Sequence, residues 1–286
     1  MPLQIRRRRE RPKSRQCVSN ASPSQFENSL SKRAPEILYV WAMGKTNSLR
    51  IGTDRALYIG ELPATGWHRH ASAVLLIGLS GRFAVHLPGG VVNSCHSALI
   101  DAGIDHVFDP CGERVALIYL EPDSPEARRL RGHFRENGPV IWDPAVRPVS
   151  RSSFANYLSA FDLGSLLSHP CPEPAFLDPR VQKSLLYVRF SRGVPPDRQG
   201  TASAVQLSAS RFNHLFREET GVSFRSYRTW SQVRRAMFGL APRINLTDAA
   251  LHGNFTDSSH FSRTFRKSFG MTPSSVLKPL KELTVI

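Results

Sequence analysis

The sequence contains no uninterrupted apolar run of about 18 residues, so no segment of it reads as a membrane-spanning helix. Its four cysteines, Cys17, Cys95, Cys111 and Cys171, are scattered, with no C-x-x-C pair. That spacing argues against a zinc ribbon or a disulfide framework and suits a reducing compartment. No apolar stretch follows Arg6–Arg9, so the N-terminus does not read as a secretory signal and the chain is expected to be soluble and cytoplasmic. Ser-His-Asp, paired-carboxylate and phosphate-loop signatures are also missing, which leaves an enzyme reading little to work with.

Acidic residues are scarce as well, 23 against 38 Lys and Arg in 286 residues, for a net charge of +15. The surplus sits at the two ends. Residues 1–15 carry seven basic residues and one acidic residue, residues 16–177 carry fourteen and fifteen, and residues 178–286 carry seventeen and seven. A surplus confined to one globular segment is the electrostatic footprint of a phosphate-binding module.

Residues 1–33 are rich in Arg, Ser, Pro and Asn and poor in large apolar residues. They are expected to form a disordered basic tail, because they cannot offset the entropy of ordering. Between Ile37 and Glu121 short apolar runs recur at Ala56–Leu62, Ala73–Leu79, Arg82–Leu87, Ser97–Asp101 and Val115–Leu120, with turn signals at Ser80-Gly81 and Pro88-Gly89-Gly90. Short strands at this spacing predict an antiparallel barrel or sandwich over residues 34–122. Residues 123–177 read as a helical connector and dimerisation segment, with helical spacing at Ser124–Phe134 and Phe154–Leu167 before Pro170, Pro172 and Pro174. Asp178-Pro179 then marks a helix start, and the second of two domains, residues 178–286, begins there.

In this last segment a helical pattern occurs twice. Thr201–Gln206 reads as a short helix, and Ser208 can cap a longer one whose buried stripe is Phe212, Leu215 and Phe216, ended by Gly221. Ser223 can cap a spacer helix that runs to Pro242. Leu246–Leu251 then reads as short and helical, Gly253-Asn254 as a turn, and Asp257 as the cap of a helix with Phe261, Phe265 and Phe269 in line, ended by Gly270. Opposite the phenylalanines lie Ser210, Arg211, Asn213, His214 and Arg217 on the first long helix and Ser258, His260, Arg263, Arg266 and Lys267 on the second. Such groups suit nucleic acid, since Asn and Arg read adenine and guanine edges bidentately. Residues near each helix start are placed for base edges, and Arg217, Arg266 and Lys267 for phosphates.

The stretch NLTDAALHGNFTDSSHFSRTFRKSFGMTP, from Asn245 to Pro273, resembles the DNA-binding domain of the AraC family of bacterial transcription regulators. Ala250, Phe255, Ser259, Phe261, Arg263, Phe265, Gly270 and Pro273 match that family's signature, and Leu207–Tyr227 is similar to its first unit. The sequence departs from the pattern at Asn254, where glycine is usual, at Gln232, where arginine is usual, and at Val276, where an aromatic is common. The resemblance implies a seven-helix domain whose two recognition helices enter successive major grooves on one DNA face. It carries base contacts over to Ser210, Asn213, His214, Ser258, His260 and Arg263.

The β region offers His68-Arg69-His70 and a later His106. Alternate strand residues share a face, so His68 and His70 can converge. This resembles the cupin barrel, in which such histidines and a glutamate bind a metal, but Val74 or Leu75 stands where the glutamate would fall. The lost carboxylate weighs against a metal. Trp67, His68, His70, His106 and Phe108 are therefore read as a part-apolar effector pocket with no metal and no cofactor.

The expectation is an α+β chain with an N-terminal cupin-like β-barrel and a C-terminal all-α domain holding two helix-turn-helix units. Its function would be that of a DNA-binding transcription regulator. It would bind double-stranded DNA and a small-molecule effector, form a homodimer, and have no membrane partner. The alternative is a metal-dependent cupin-type enzyme with a helical tail.

Overall fold

The structure is a computed structural model that describes residues 46–144, 176–191, 193, 196–240 and 245–285. The basic tail, the second connector helix at Phe154–Leu167 and the prolines after it lie outside the described residues. The described residues divide into a β part followed by a helical part, the α+β order expected.

The strands are β1 (Asn47–Ile51), β2 (Arg55–Gly60), β3 (Val74–Gly78), β4 (Phe83–Leu87), β5 (Val91–Cys95), β6 (Ser97–Ile100), β7 (Val107–Asp109), β8 (Val115–Leu120), β9 (Val140–Trp142) and β10 (Leu280–Val285). They form a seven-stranded sheet in the order β10-β1-β2-β8-β3-β6-β9 and a three-stranded sheet in the order β5-β4-β7. The five runs read from sequence fall on β2, β3, β4, β6 and β8. The Pro88-Gly89-Gly90 turn does join β4 to β5, with Gly89 and Gly90 at φ 82° and 81°, where glycine has no steric cost.

The central strands are nearly continuous apolar runs because both faces of the large sheet are covered. Along β3 and β8 the side chains alternate. Val74, Leu76, Val115 and Leu117 enter one core with Phe83, Val85 and Phe108 of the small sheet. Leu75, Ile77, Ala116 and Ile118 enter another. That second layer is closed by α1 (Pro125–Asn137) through Ala127, Leu130 and Phe134, and Ser124 caps α1 by accepting from the Ala127 amide.

The helical part comprises α2 (Pro179–Phe190), α3 (Arg198–Ala204), α4 (Ala209–Thr220), α5 (Phe224–Phe238), α6 (Leu246–His252), α7 (Ser258–Phe269) and α8 (Pro273–Leu277). Seven helices are what the family resemblance implies. α2, α3, α4 and the first half of α5 enclose a core of Val181, Leu185, Phe212, Phe216, Phe224 and Tyr227. The second half of α5 contributes Val233, Ala236 and Met237 to a core that holds Phe261 and Phe265 of α7 and also Leu49, Tyr58 and Leu117 of the large sheet. The β part and the second helical unit are thus one packed body. The last strand adds to the connection, since β10 pairs in parallel with β1, Leu49 opposite Leu283.

Polar groups fasten the same junction. The buried Glu121 carboxylate, just past β8, accepts from the Trp230 indole at 3.0 Å and faces the Arg234 guanidinium at 2.9 Å. Burial pushes this carboxyl up to about 7, against the pull of Arg234. Arg234 also donates to the Gly52 carbonyl at 3.0 Å, and Arg189 of α2 pairs with Asp123 at 2.8 Å. Glu121→Ala is expected to destabilise the chain by about 3–5 kcal/mol, because it leaves the Arg234 charge without its carboxylate and the Trp230 indole N–H without its acceptor in the interior. Glu121→Gln keeps an acceptor of the same shape and removes a charge that burial already disfavours, so it is expected to cost less than about 1.5 kcal/mol. Urea denaturation of both variants checks the contrast, and equal losses would contradict it.

Candidate nucleic-acid interface and sensor site

Each helix-turn-helix unit is assembled by the same local devices. In the first, α3 ends with Gln206 at φ 57°, and the Ser208 hydroxyl accepts from the Arg211 amide to open α4. In the second, α6 ends with Asn254 at φ 56°, and the Asp257 carboxylate accepts from the His260 amide to open α7. Backbone bonds from Leu207 to Ala202 at 2.9 Å and from Phe255 to Ala250 at 2.8 Å close the two turns alike. Asn254 therefore does the work of the usual glycine, since asparagine tolerates the left-handed region. Gly221 and Gly270, at φ 78° and 71°, end α4 and α7.

The two other departures are also accommodated. Gln232 on α5 reaches the Asn254 carbonyl at 3.4 Å, and Val276 is buried in the core of the second unit.

With Phe212 and Phe216 of α4 and Phe261 and Phe265 of α7 buried, none of the ten DNA-facing candidates is. Ser210, Arg211, His214, Arg217, Arg263, Arg266 and Lys267 are exposed, and Asn213, Ser258 and His260 are half-buried. His260 has local partners: its Nδ1 lies 2.8 Å from the Thr256 hydroxyl and its ring packs edge-on against Phe255. His214 lies 3.9 Å from Glu218 on the exposed face of α4. Sequence reasoning missed Arg131 and Arg135 of α1, which share a groove with His214 and Arg217. Arg131 also donates to the Glu219 carbonyl near the end of α4.

The five pocket candidates separate. His68, His70 and His106 come together, with ligand atoms all within 4.8 Å of one another. They lie on loops, where His68 and His106 exchange backbone hydrogen bonds at 3.1 and 3.0 Å, and not on one strand as the alternation suggested. Trp67 is 55 % exposed, and Phe108 is buried in the β core against Phe83 with ring centroids 5.3 Å apart. Each imidazole directs Nδ1 at a backbone carbonyl: His68 to Gly66 at 3.0 Å, His70 to Ser72 at 2.5 Å and His106 to Ile104 at 2.9 Å. Burial lowers all three, His68 to about 4, so the rings are neutral near pH 7.

Behind His70 stand Tyr119, Trp230 and Phe269, with ring centroids 5.2, 6.3 and 6.4 Å away. These three also line a cavity of about 90 Å³ between the large sheet and the helices, with Tyr58, Leu117 and Met237. Its wall is apolar apart from Glu121 and Arg234, which face each other. The lining runs from Leu49 to Val276, so no local sequence signal could have located it.

Comparisons with known proteins agree with this geometry. Residues 201–279 match the family model described as a helix-turn-helix domain. The arabinose operon regulatory protein of Escherichia coli K12 is 32 % identical over 100 residues, 34 % of each chain. The HTH-type transcriptional regulator RipA of Corynebacterium glutamicum is 28 % identical over 154 residues, 52 % of this chain and 44 % of that protein. The chain therefore spans between about a third and under half of these relatives. In fold it is similar to the crystal structure of ToxT from Vibrio cholerae O395, at a TM-score of 0.51 and 12 % identity, over 79 % of this chain and 97 % of that one. Residues 201–279 are thus similar to a helix-turn-helix domain, and the likeness to these transcription regulators covers about a third to a half of the chain.

Proposed function

We propose that the chain is a sequence-specific DNA-binding transcription regulator that responds to a small-molecule effector and is not an enzyme. The observation that carries this reading is the pair of capped helices, α4 and α7, which bury Phe212 and Phe216 in one and Phe261 and Phe265 in the other and leave Ser210, Arg211, His214 and Arg217, and Arg263, Arg266 and Lys267, exposed. Two such faces on one rigid domain fit successive major grooves of double-stranded DNA, with protected half-sites about one helical turn, roughly 10 base pairs, apart.

In this reading Ser210, Asn213, His214, Ser258 and Arg263 address base edges, and Arg211, Arg217, Arg266 and Lys267 hold phosphates. His260, already held by Thr256 and Phe255, steadies the start of α7. Arg131 and Arg135 add positive charge beside α4. No helix among the described residues is long and apolar enough to cross a membrane, and we assign the chain to the cytoplasm, where its DNA is.

The division of labour follows the sequence boundaries: residues 34–122 sense, 123–177 connect and support dimerisation, and 178–286 bind DNA. The effector site is assigned to the histidine cluster and the apolar cavity behind it. A ligand there would touch the sheet, α5 and α7 together, which couples its presence to the placement of the second recognition helix. A homodimer is the expected assembly, and the exposed Val91 and Val92 on edge strand β5 give a second copy a strand to pair with.

Arg263→Ala is expected to cost about 1–3 kcal/mol at a cognate site and to relax preference at one base position. Lys267→Ala is expected to weaken all sequences alike and to lower the slope of log K against log salt by about one. Fluorescence anisotropy on cognate and random DNA separates these effects, and an equal loss on both by Arg263→Ala would contradict base reading. A small apolar compound held in the cavity is expected to stabilise the chain by about 2.7 kcal/mol at a hundred times its Kd. Thermal melts that stay unchanged across a panel of such compounds would move the effector site elsewhere.

A further inference from the structure

We propose that the groove between α1 and α4 seats a backbone phosphate of bound DNA, held by Arg135 and Arg217, so that the β part grips DNA through α1 as well. This contact rests on the DNA-binding reading and lies partly outside residues 178–286.

Two stripes run side by side along α1. Ala127, Leu130 and Phe134 are buried, and one position further on Arg128, Arg131 and Arg135 follow at i, i+3 and i+7. Like charges at that spacing on a helix repel one another and cost stability. Burial, with Arg135 and Arg128 beside it, weakens the hold of Arg131 on its proton against the pull of Glu219. The first-turn carboxylate of α1, Glu126, is no help to this stripe, since it pairs with Arg55 at 2.9 Å.

The opposite wall is α4. Arg131 donates to the Glu219 carbonyl in the last turn of α4. At Gly221, which ends α4, a Cβ would stand 3.3 Å from the Arg131 side chain. The groove between the two helices is lined by Arg131, Arg135, His214 and Arg217 and by the carboxylates of Asp101 and Glu218. Both carboxylates are engaged: Asp101 accepts from the Ala102 amide at 2.7 Å, and Glu218 lies 3.9 Å from His214. Arg135 and Arg217 are exposed, and neither guanidinium has an ion pair or hydrogen bond among the described residues.

Helix ends account for part of this charge. The C-terminal ends of α1 and α4 meet at the groove, and a C-terminus favours a basic residue. Arg131 already serves α4 through the Glu219 carbonyl. Arg135 and Arg217 remain as two open guanidinium groups, whose forked N–H donors match the oxygens of a phosphate.

The docking decides which phosphate. An α-helix about 10–12 Å across fills a major groove about 12 Å wide, so the sugar-phosphate backbones run along its flanks. With α4 in the groove, α1 stands on one of those flanks and Arg135 meets the backbone there. A free phosphate would find exposed guanidinium groups in water, whereas α4 carries the DNA backbone to them. Because Arg131 ties α1 to α4, the contact lasts only while the two helices keep their spacing.

The test measures Kd of the full chain for cognate and random duplex DNA by fluorescence anisotropy over a range of NaCl. Arg135→Ala is expected to lower the slope of log K against log salt by about one and to weaken both DNAs by the same factor, roughly threefold or more. Arg135→Lys keeps the charge and should restore most of the slope. Circular dichroism of both variants should match the wild type, since the side chain is exposed. Ethylation interference should reveal, beside one half-site, a phosphate that the wild type needs and Arg135→Ala does not.

An unchanged slope overturns the contact. Tighter binding by Arg135→Ala also overturns it and makes α1 an obstruction to DNA. If inorganic phosphate at matched ionic strength raises the Tm of the wild type but not of Arg135→Ala, while their slopes agree, the groove takes a free anion and the DNA contact falls. A wild-type chain that binds no DNA rejects the regulator reading and the contact with it, whereas DNA binding with equal slopes rejects the contact alone.

Discussion

The contact on which the rest of the arrangement depends is the buried carboxylate of Glu121, gripped by Trp230 and Arg234 at 3.0 and 2.9 Å. α5 bridges the two helix-turn-helix units, giving its first half to one core and its second half to another. Fixing Trp230 and Arg234 against the end of β8 therefore fixes both units against the sheet. A buried charge is a costly fastener and adds little net stability over a well-packed apolar contact. What it supplies is uniqueness, because a carboxylate out of water tolerates only the geometry that satisfies it, whereas apolar faces can slide.

The two units show how one local solution serves twice. Both turn through a non-glycine residue in the left-handed region, both close that turn with the same backbone bond, and both begin the next helix on a side-chain cap. The residues at the turns, Gln206 and Asn254, share a carboxamide and differ by one methylene. The common shape is imposed by the phenylalanines, Phe212 and Phe216 in one case and Phe261 and Phe265 in the other, which must reach their cores from the same angle.

What was legible in the sequence was local. Ser208, Asp257, Gly221 and Gly270 announce helix ends through chemistry that acts within four residues, and the i, i+4 phenylalanines show which face is hidden. The strands β2, β3, β4, β6 and β8 were legible because their apolar runs are long. β1, β5, β7, β9 and β10 are short or polar, and β10, LKELTV, lies beyond the helices where no strand is expected. The site divides in the same way. The histidine cluster could be suspected from His-x-His, but Phe108 belongs to the β core, Trp67 faces solvent, and the apolar cavity is built from residues more than two hundred positions apart.

The parallel pairing of β10 with β1 sets Asn47 opposite Leu280. This gives the molecule a contact that spans almost its whole described length. A ribosome delivers β1 early and β10 last, so the edge of the large sheet stays open while the helices are being made. Closing so long a loop slows folding, and an uncovered edge strand is a template for pairing between chains. The helical part, once β10 is seated, is tethered to the sheet at both of its ends. It cannot swing away from the sheet without unpairing β10, so any signal passed between them has to travel as a small shift in packing.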